Sequence, residues 1–292
     1  DRRCPDDFDL SRLAGSADMH RLTPQFPESV TRTQRPVLFL YGWVDFEYAS
    51  SNYAAHQSGL TLQTPVLEME NEDGVYAPVI EPIGFPAGMP RTMTVDLARL
   101  GPLRGRRMRI RTNMRAYWDR IFLAKPLAAD ELAEKVKTNA IRLVGAHLHR
   151  RGFPREHSPD GRLPKIYDYG IMDNSQPFKV MTGDYTRFGR VTDLLTRTDD
   201  RFVIFGRGEE VTLEFPTKGL PETPKNWVRS FLLYTNGYCK DMDPHPAFPD
   251  TVEPLPFHGM SAYPYPNEES YPDDAEHREY RKTWNTRRVE TR

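Results

Sequence analysis

The sequence has no run of about 18 apolar residues, the length a helix needs to cross a bilayer. Its longest apolar stretches, such as 37–41 (Val-Leu-Phe-Leu-Tyr), have the length of buried strands. It has almost no net charge, a formal −1, and therefore no global field to attract nucleic acid or an anionic membrane. Cysteine is scarce, with only Cys4 and Cys239. They cannot supply a C-x-x-C-H haem attachment or the paired C-x-x-C of a zinc site. No G-x-S-x-G and no H-E-x-x-H occurs, so no hydrolase is named by motif.

What is present is punctuation. The 292 residues include 26 prolines and 19 glycines, which cut the apolar content into short pieces. Short pieces suit many strands and work against long helices. Residues 1–36 are polar and proline-interrupted, and read as an N-terminal arm, with a turn of helix near 9–14. From residue 37 the pattern becomes strand-like: 37–43, 60–67, 75–80, 92–97, 107–112 and 117–123. The Asn-Glu-Asp-Gly turn at 71–74 marks a hairpin. Alternation puts Met93, Val95, Leu97, Met108 and Ile110 inward, and Arg109 and Arg111 outward. This makes 37–125 a first β-sandwich domain.

A helical connector follows at 128–138, within a linker spanning 126–140. A second β domain runs from 141 to 255, with strands expected at 141–149, 178–181, 191–195, 201–205, 210–215 and 227–234. Residues 256–292 form a proline- and aromatic-rich extension ending in a short helix. Asp273 is its expected N-cap, with Glu276 three residues on, and His277, Tyr280 and Trp284 recur on one face. The fold expectation is therefore mainly β: two packed antiparallel sandwiches, jelly-roll-like, with extended arms and a short C-terminal helix.

Several stretches carry a resemblance: 40–45 (Leu-Tyr-Gly-Trp-Val-Asp), 80–88 (Ile-Glu-Pro-Ile-Gly-Phe-Pro-Ala-Gly) and 109–122. Later ones are 183–189 (Gly-Asp-Tyr-Thr-Arg-Phe-Gly), 206–210 (Gly-Arg-Gly-Glu-Glu) and 251–260 (Thr-Val-Glu-Pro-Leu-Pro-Phe-His-Gly-Met). From about residue 37 onward the chain resembles the C-terminal region of bacterial FG-GAP repeat and ASPIC/UnbV proteins, the relatives of cartilage acidic protein. The resemblance implies an exported, periplasmic or extracellular protein of several domains. It carries over no catalytic residue. In an oxidising compartment Cys4 and Cys239 could bond, and two unpaired thiols are the alternative.

The candidate sites are few. Segment 113–122 looks like the last strand of a jelly-roll, where carbohydrate-binding domains place aromatics. Tyr41, Trp43, Tyr117 and Trp118, with Asp45, Asn113 and Asp119, could make a sugar platform of ring faces and polar hydroxyl partners; core packing is the competing use. Asp241 and Asp243 sit two apart in a tight loop. That spacing suits a hard cation such as calcium, or equally the capping of Asx-turns. No other cofactor is expected. His147 and His149 share a strand face at metal-pair spacing, but no third ligand is readable. Tyr263, Tyr265, Tyr280 and Trp284 are expected as interface anchors of the C-terminal extension.

Together these features point to a non-catalytic structural or binding module of an exported multi-domain protein or multi-subunit assembly. Its partners would be other protein subunits or the rest of a larger polypeptide, with carbohydrate as a further ligand class. The rival reading is a carbohydrate-active or metal-assisted enzyme sited between the two β domains.

Overall fold

Alternating apolar residues on several strands meet in one core in the first part of the chain. The computed structural model describes residues 9, 13–27, 29, 35–45, 48–87, 90–101, 103, 107–159, 161, 165–175 and 179–290. The protein is mainly β, made of antiparallel sheets with few helices. It divides between Lys137 and Thr138 into two compact units. No helix among the described residues is long and apolar enough to cross a membrane.

The first unit holds β1 (Ser16–Leu22), β2 (Val37–Val44), helix α1 (Ala49–Gln57), β3 (Val66–Glu70), β4 (Tyr76–Ile80), β5 (Arg91–Asp96), β6 (Met108–Met114), β7 (Ala116–Ala124) and helix α2 (Ala129–Lys135). The strands form two antiparallel sheets, ordered β1-β6-β3-β4 and β5-β2-β7. One hydrophobic cluster draws on both. It takes Leu38 and Leu40 from β2, Leu67 and Met69 from β3, Val95 from β5, and Met108 and Ile110 from β6. Each such fully buried side chain stabilises the fold by roughly 1.5–3 kcal/mol. Met93 is half-buried and packs on the same cluster. The strands expected at 92–97 and 107–112 thus lie in different sheets that share this core.

Three local details depart from the sequence reading. First, β1 lies inside the stretch read as an arm, and its residues Ser16 to Leu22 pair with β6. Its polar composition hid it. Second, the strand expected over 60–67 begins only at Val66. Residues 61–63 form a strap whose backbone groups are satisfied by side chains instead of a ladder. Asn113 Oδ1 accepts the Gln63 N–H at 2.6 Å, Asn113 Nδ2 donates to the Thr61 carbonyl at 2.9 Å, and Thr112 Oγ1 donates to the Gln63 carbonyl at 2.7 Å. Third, Arg109 and Arg111 face out of the core but not into free solvent. Both hold the Glu68 carboxylate, Arg111 at 2.7 Å, on the outer face of the β3–β6 ladder.

The expected hairpin turn is present. Asn71 Oδ1 accepts the N–H groups of Asp73 and Val75 at 3.0 and 2.8 Å, and Gly74 takes the positive φ of 77° that the turn requires.

The second unit contains β8 (Gly145–Arg150), β9 (Phe153–His157), β10 (Ile166–Asp173), β11 (Gly183–Tyr185), β12 (Gly189–Arg190), β13 (Glu209–Glu214), helix α3 (Ala275–Trp284) and β14 (Arg287–Val289). Its sheets are small: β12-β8-β13, the hairpin β9-β10, and the pair β11-β14. Two modest clusters fill it. One is Ala146, Leu148 and Val191 with Trp284 against them; the other is Met181, Tyr185, Val252 and Leu255 with Tyr271 and Val289. A forked ion pair reinforces the packing. Arg287 Nη1 and Nη2 lie 2.6 and 2.9 Å from the two oxygens of Glu209, tying β14 to β13.

Several expected strands of this half are not strands. Residues 192–194 make a 3-10 turn, because Thr192 Oγ1 accepts the Ala146 N–H at 2.9 Å and does the work of a ladder bond. Residues 201–205 join no strand among the described residues. There the Ile204 N–H donates to Thr186 Oγ1 at 2.7 Å and the Phe202 carbonyl accepts from the Tyr280 hydroxyl at 2.7 Å. Residues 179–181 and 227–234 also lie in no strand, and Phe178 is outside the described residues. The expected terminal helix exists as α3, but its cap is Asp274, one residue later than expected. Asp274 Oδ1 accepts the N–H groups of Glu276 and His277 at 2.9 and 3.0 Å. Asp273 is left to pair with Arg278 and Arg281.

Candidate functional site

A pocket of about 270 Å³ opens in the second unit, with Asp184, Glu253, Tyr265, Tyr271 and Arg281 around it and Pro254 and Leu255 as apolar wall. Its construction begins at β11. The β11–β14 ladder sets Asp184 opposite Arg288, whose guanidinium lies 2.9 Å from Asp184 Oδ1. Gly183 beside it is a forced choice. A Cβ there would stand 2.6 Å from Glu253 Oε2 and 2.8 Å from Val252 Cβ, on a backbone with φ of 139°. Only glycine lets segment 251–255 pass this close.

That segment is held from behind by Lys240. Its ammonium donates to the carbonyls of Thr251 and Val252 at 2.7 and 2.9 Å, and it lies 5.5 Å from the Tyr263 ring centre. Burial pushes the Lys240 ammonium below its ordinary value, and the Glu253 charge opposes that shift. Tyr263 donates its hydroxyl to the Pro254 carbonyl at 2.9 Å, and burial pushes that hydroxyl up to about 12. Tyr271 donates to the Asp200 carbonyl. Burial raises both Tyr265 and Tyr271, so both are neutral rings at neutral pH.

Arg281 comes from α3. It pairs with Asp273 and stands 5.9 Å from the Tyr271 ring centre. Asn285, the C-cap of α3, is buried at the floor and accepts from Thr186 Oγ1 at 3.3 Å. The Glu253 carboxylate enters no hydrogen bond among the described residues, which leaves it open to a ligand.

Near this pocket in the sequence, His258 makes a second polar cluster. Asp200 Oδ1 accepts both the His258 backbone N–H and Nδ1, each at 2.7 Å, while Nε2 faces Asn236 Oδ1 at 2.9 Å. Phe202 and Tyr238 pack around the ring. Both imidazole nitrogens are thus occupied within the chain.

A third feature is a run of exposed apolar side chains. Leu232 is 99% and Val228 88% exposed, and Phe231, Leu233 and Tyr234 stand in solvent beside them. Residues 228–234 join no sheet among the described residues.

The residues singled out from sequence fall elsewhere. Tyr41 and Trp43 share the outer face of β2, and Tyr117 stacks on Trp43 at 4.5 Å. The indole of Trp43 is covered by that stack and is buried. Trp118 turns into the core, and Asn113 spends its amide on the strap, so neither offers a face to a sugar. Asp119 is the extra residue of a bulge: Tyr41 pairs with Arg120 and Gly42 with Trp118. Asp45 binds Arg115 at 2.8 Å.

In the second unit, Asp241 Oδ1 accepts the N–H of Met242 and of Asp243, and Asp243 Oδ1 accepts that of His245. This is turn capping. No group of three metal-ligating side chains occurs among the described residues. His147 and His149 lie on one face with ring centres 5.9 Å apart, and His149 approaches Glu210 at 3.6 Å. Tyr263 and Tyr265 border the pocket region, with ring centres 6.3 Å apart. Tyr280 is buried in its own unit, and Trp284 is half-buried with the Arg187 guanidinium 4.5 Å from its ring. Cys239 is exposed, and Cys4, its expected partner, lies outside the described residues.

Sequence reasoning missed Asp184, Glu253, Tyr271 and Arg281. No spacing links them. The only signal was that Asp184 and Glu253 fall within the stretches that carry the family resemblance. Comparison with protein-family models, curated proteins and solved structures finds no match to this chain.

Proposed function

We propose that the chain is a non-catalytic, protein-binding module of a larger exported assembly, docking through segment 228–234. The observation that carries this reading is the run of exposed Val228, Phe231, Leu232, Leu233 and Tyr234. Contiguous apolar surface of this kind marks an interaction site on a folded protein. Its residue types favour a strand, and its backbone lies in no sheet. Adding a strand to a partner's sheet edge covers both the side chains and the main-chain groups.

The His258 ring is held on both sides by its own chain, by Asp200 and by Asn236, so it is accounted for as a structural contact. The resemblance to FG-GAP and ASPIC/UnbV proteins agrees with a module inside a larger exported polypeptide.

The test is light scattering of the chain at rising concentration, with 1-anilinonaphthalene-8-sulfonate fluorescence, on the native protein and on Phe231→Asp/Leu232→Asp. A mass above one chain that the double variant loses identifies a second copy as the docking partner. A single-chain mass with dye binding that the variant loses excludes self-association and leaves the segment as apolar surface for a different polypeptide. A single-chain mass with no dye binding overturns the reading.

A further inference from the structure

We propose that the pocket between β11, segment 253–255 and α3 binds one neutral sugar ring. Size comes first. At about 270 Å³ the cavity lies just below the range that holds drug-sized ligands, and fits a single six-membered ring. Charge comes next. Asp184 is compensated by Arg288 at 2.9 Å and Arg281 by Asp273, while Glu253 lies in the field of Lys240. The balance leaves no uncompensated charge to select an ion, so recognition falls to hydrogen bonds and ring faces.

The groups available match a pyranose. Glu253 carries a carboxylate with no hydrogen-bond partner among the described residues, and Asp184 brings a second carboxylate to the same lining. Carboxylates accept from sugar hydroxyls with charge-assisted strength. Tyr265 and Tyr271 bring aromatic rings to the same cavity, and Leu255 adds apolar wall for the C–H face of the sugar. The rings are fixed before a ligand arrives. Tyr271 is tied to the Asp200 carbonyl, and Tyr265 packs edge-on to Phe257 at 5.2 Å. A preorganised wall loses little entropy on binding.

This site is separate from the docking segment, and its test is independent of the docking test. Saturation-transfer NMR on the full chain with glucose, galactose, mannose and N-acetylglucosamine should show transfer to ring C–H protons for at least one sugar, at millimolar affinity. Glu253→Gln, an exposed and nearly isosteric change, should weaken that sugar about tenfold by removing a charged acceptor. Tyr265→Leu should weaken it as much. Phe231→Asp/Leu232→Asp should leave it unchanged. No transfer from any of the four sugars overturns the proposal. So does transfer that survives Glu253→Gln at full strength, which would place the sugar elsewhere. A cationic amine such as ethanolamine binding in place of every sugar overturns it as well.

Discussion

The two units reach the same end, a satisfied backbone under a covered apolar surface, by different routes. In the first unit two sheets share one cluster of buried side chains, and most backbone groups of its strands go to neighbouring strands. In the second the sheets are two or three strands wide and the clusters small, so side chains replace ladders: Thr186, Thr192, Tyr271 and Tyr280 each satisfy a main-chain group of a distant segment. A large core tolerates polar or irregular edges such as β1. A small one depends on individual hydroxyls.

The largest expected effect tests the core itself. Leu40 and Leu148 are both fully buried, the first in the large cluster and the second among three residues. Leu40→Ala should destabilise its unit by about 2–5 kcal/mol, and Leu148→Ala by an amount at the low end of that range, because a thinly packed site collapses more readily around the gap. Urea denaturation of both variants measures it. Equal losses would remove the distinction between a large core and a small one.

A smaller effect concerns Glu68. Its side chain is 5% exposed between Arg109 and Arg111, which are 23% and 20% exposed. Burial alone would raise its carboxyl, but the hydrogen bonds and charges of the two arginines overcome this and hold it below 4.5. The folded state therefore binds this proton less readily than the unfolded chain. The contribution is complete above the unfolded value of 4.5 and is lost as pH falls through the lower folded value. Glu68→Gln should cost about 1.5–3 kcal/mol at neutral pH and should flatten the acid limb of the stability curve. An acid limb unchanged by the substitution would show that the two arginines do no more than stack on the sheet.

The same contrast explains what could be read from sequence. Strands β2, β5, β6 and β7 were legible because the large core they share imposes alternation along much of each. The turn at Asn71 was legible because its chemistry is local. The segments at 192–194, 201–205 and 227–234 have the same apolar content as strands. Whether their N–H groups meet another strand, a threonine hydroxyl or water is decided by residues far away in the chain. The pocket was illegible for that reason too. Asp184 and Glu253 become neighbours only because β11 and segment 251–255 cross at Gly183.

The smallest effect is also the sharpest on the C-terminal helix. From sequence, Tyr280 was an anchor that could be held by this chain or by a partner. In the structure it is 3% exposed, and its hydroxyl donates to the Phe202 carbonyl at 2.7 Å. Burial raises this phenol well above its usual range, so it stays protonated, and a donor, at neutral pH. Tyr280→Phe keeps the ring and its packing but leaves the Phe202 carbonyl short of a partner. A net hydrogen bond in this setting contributes about 1 kcal/mol. The isolated chain should therefore lose about that much in thermal or urea unfolding. Amide exchange should rise for the second unit, at Ile204 and along α3, and stay unchanged in the first. If the isolated chain instead kept its full stability and only its assembly weakened, Tyr280 would belong to a partner's surface, and hydroxyls would not be what holds the second unit together.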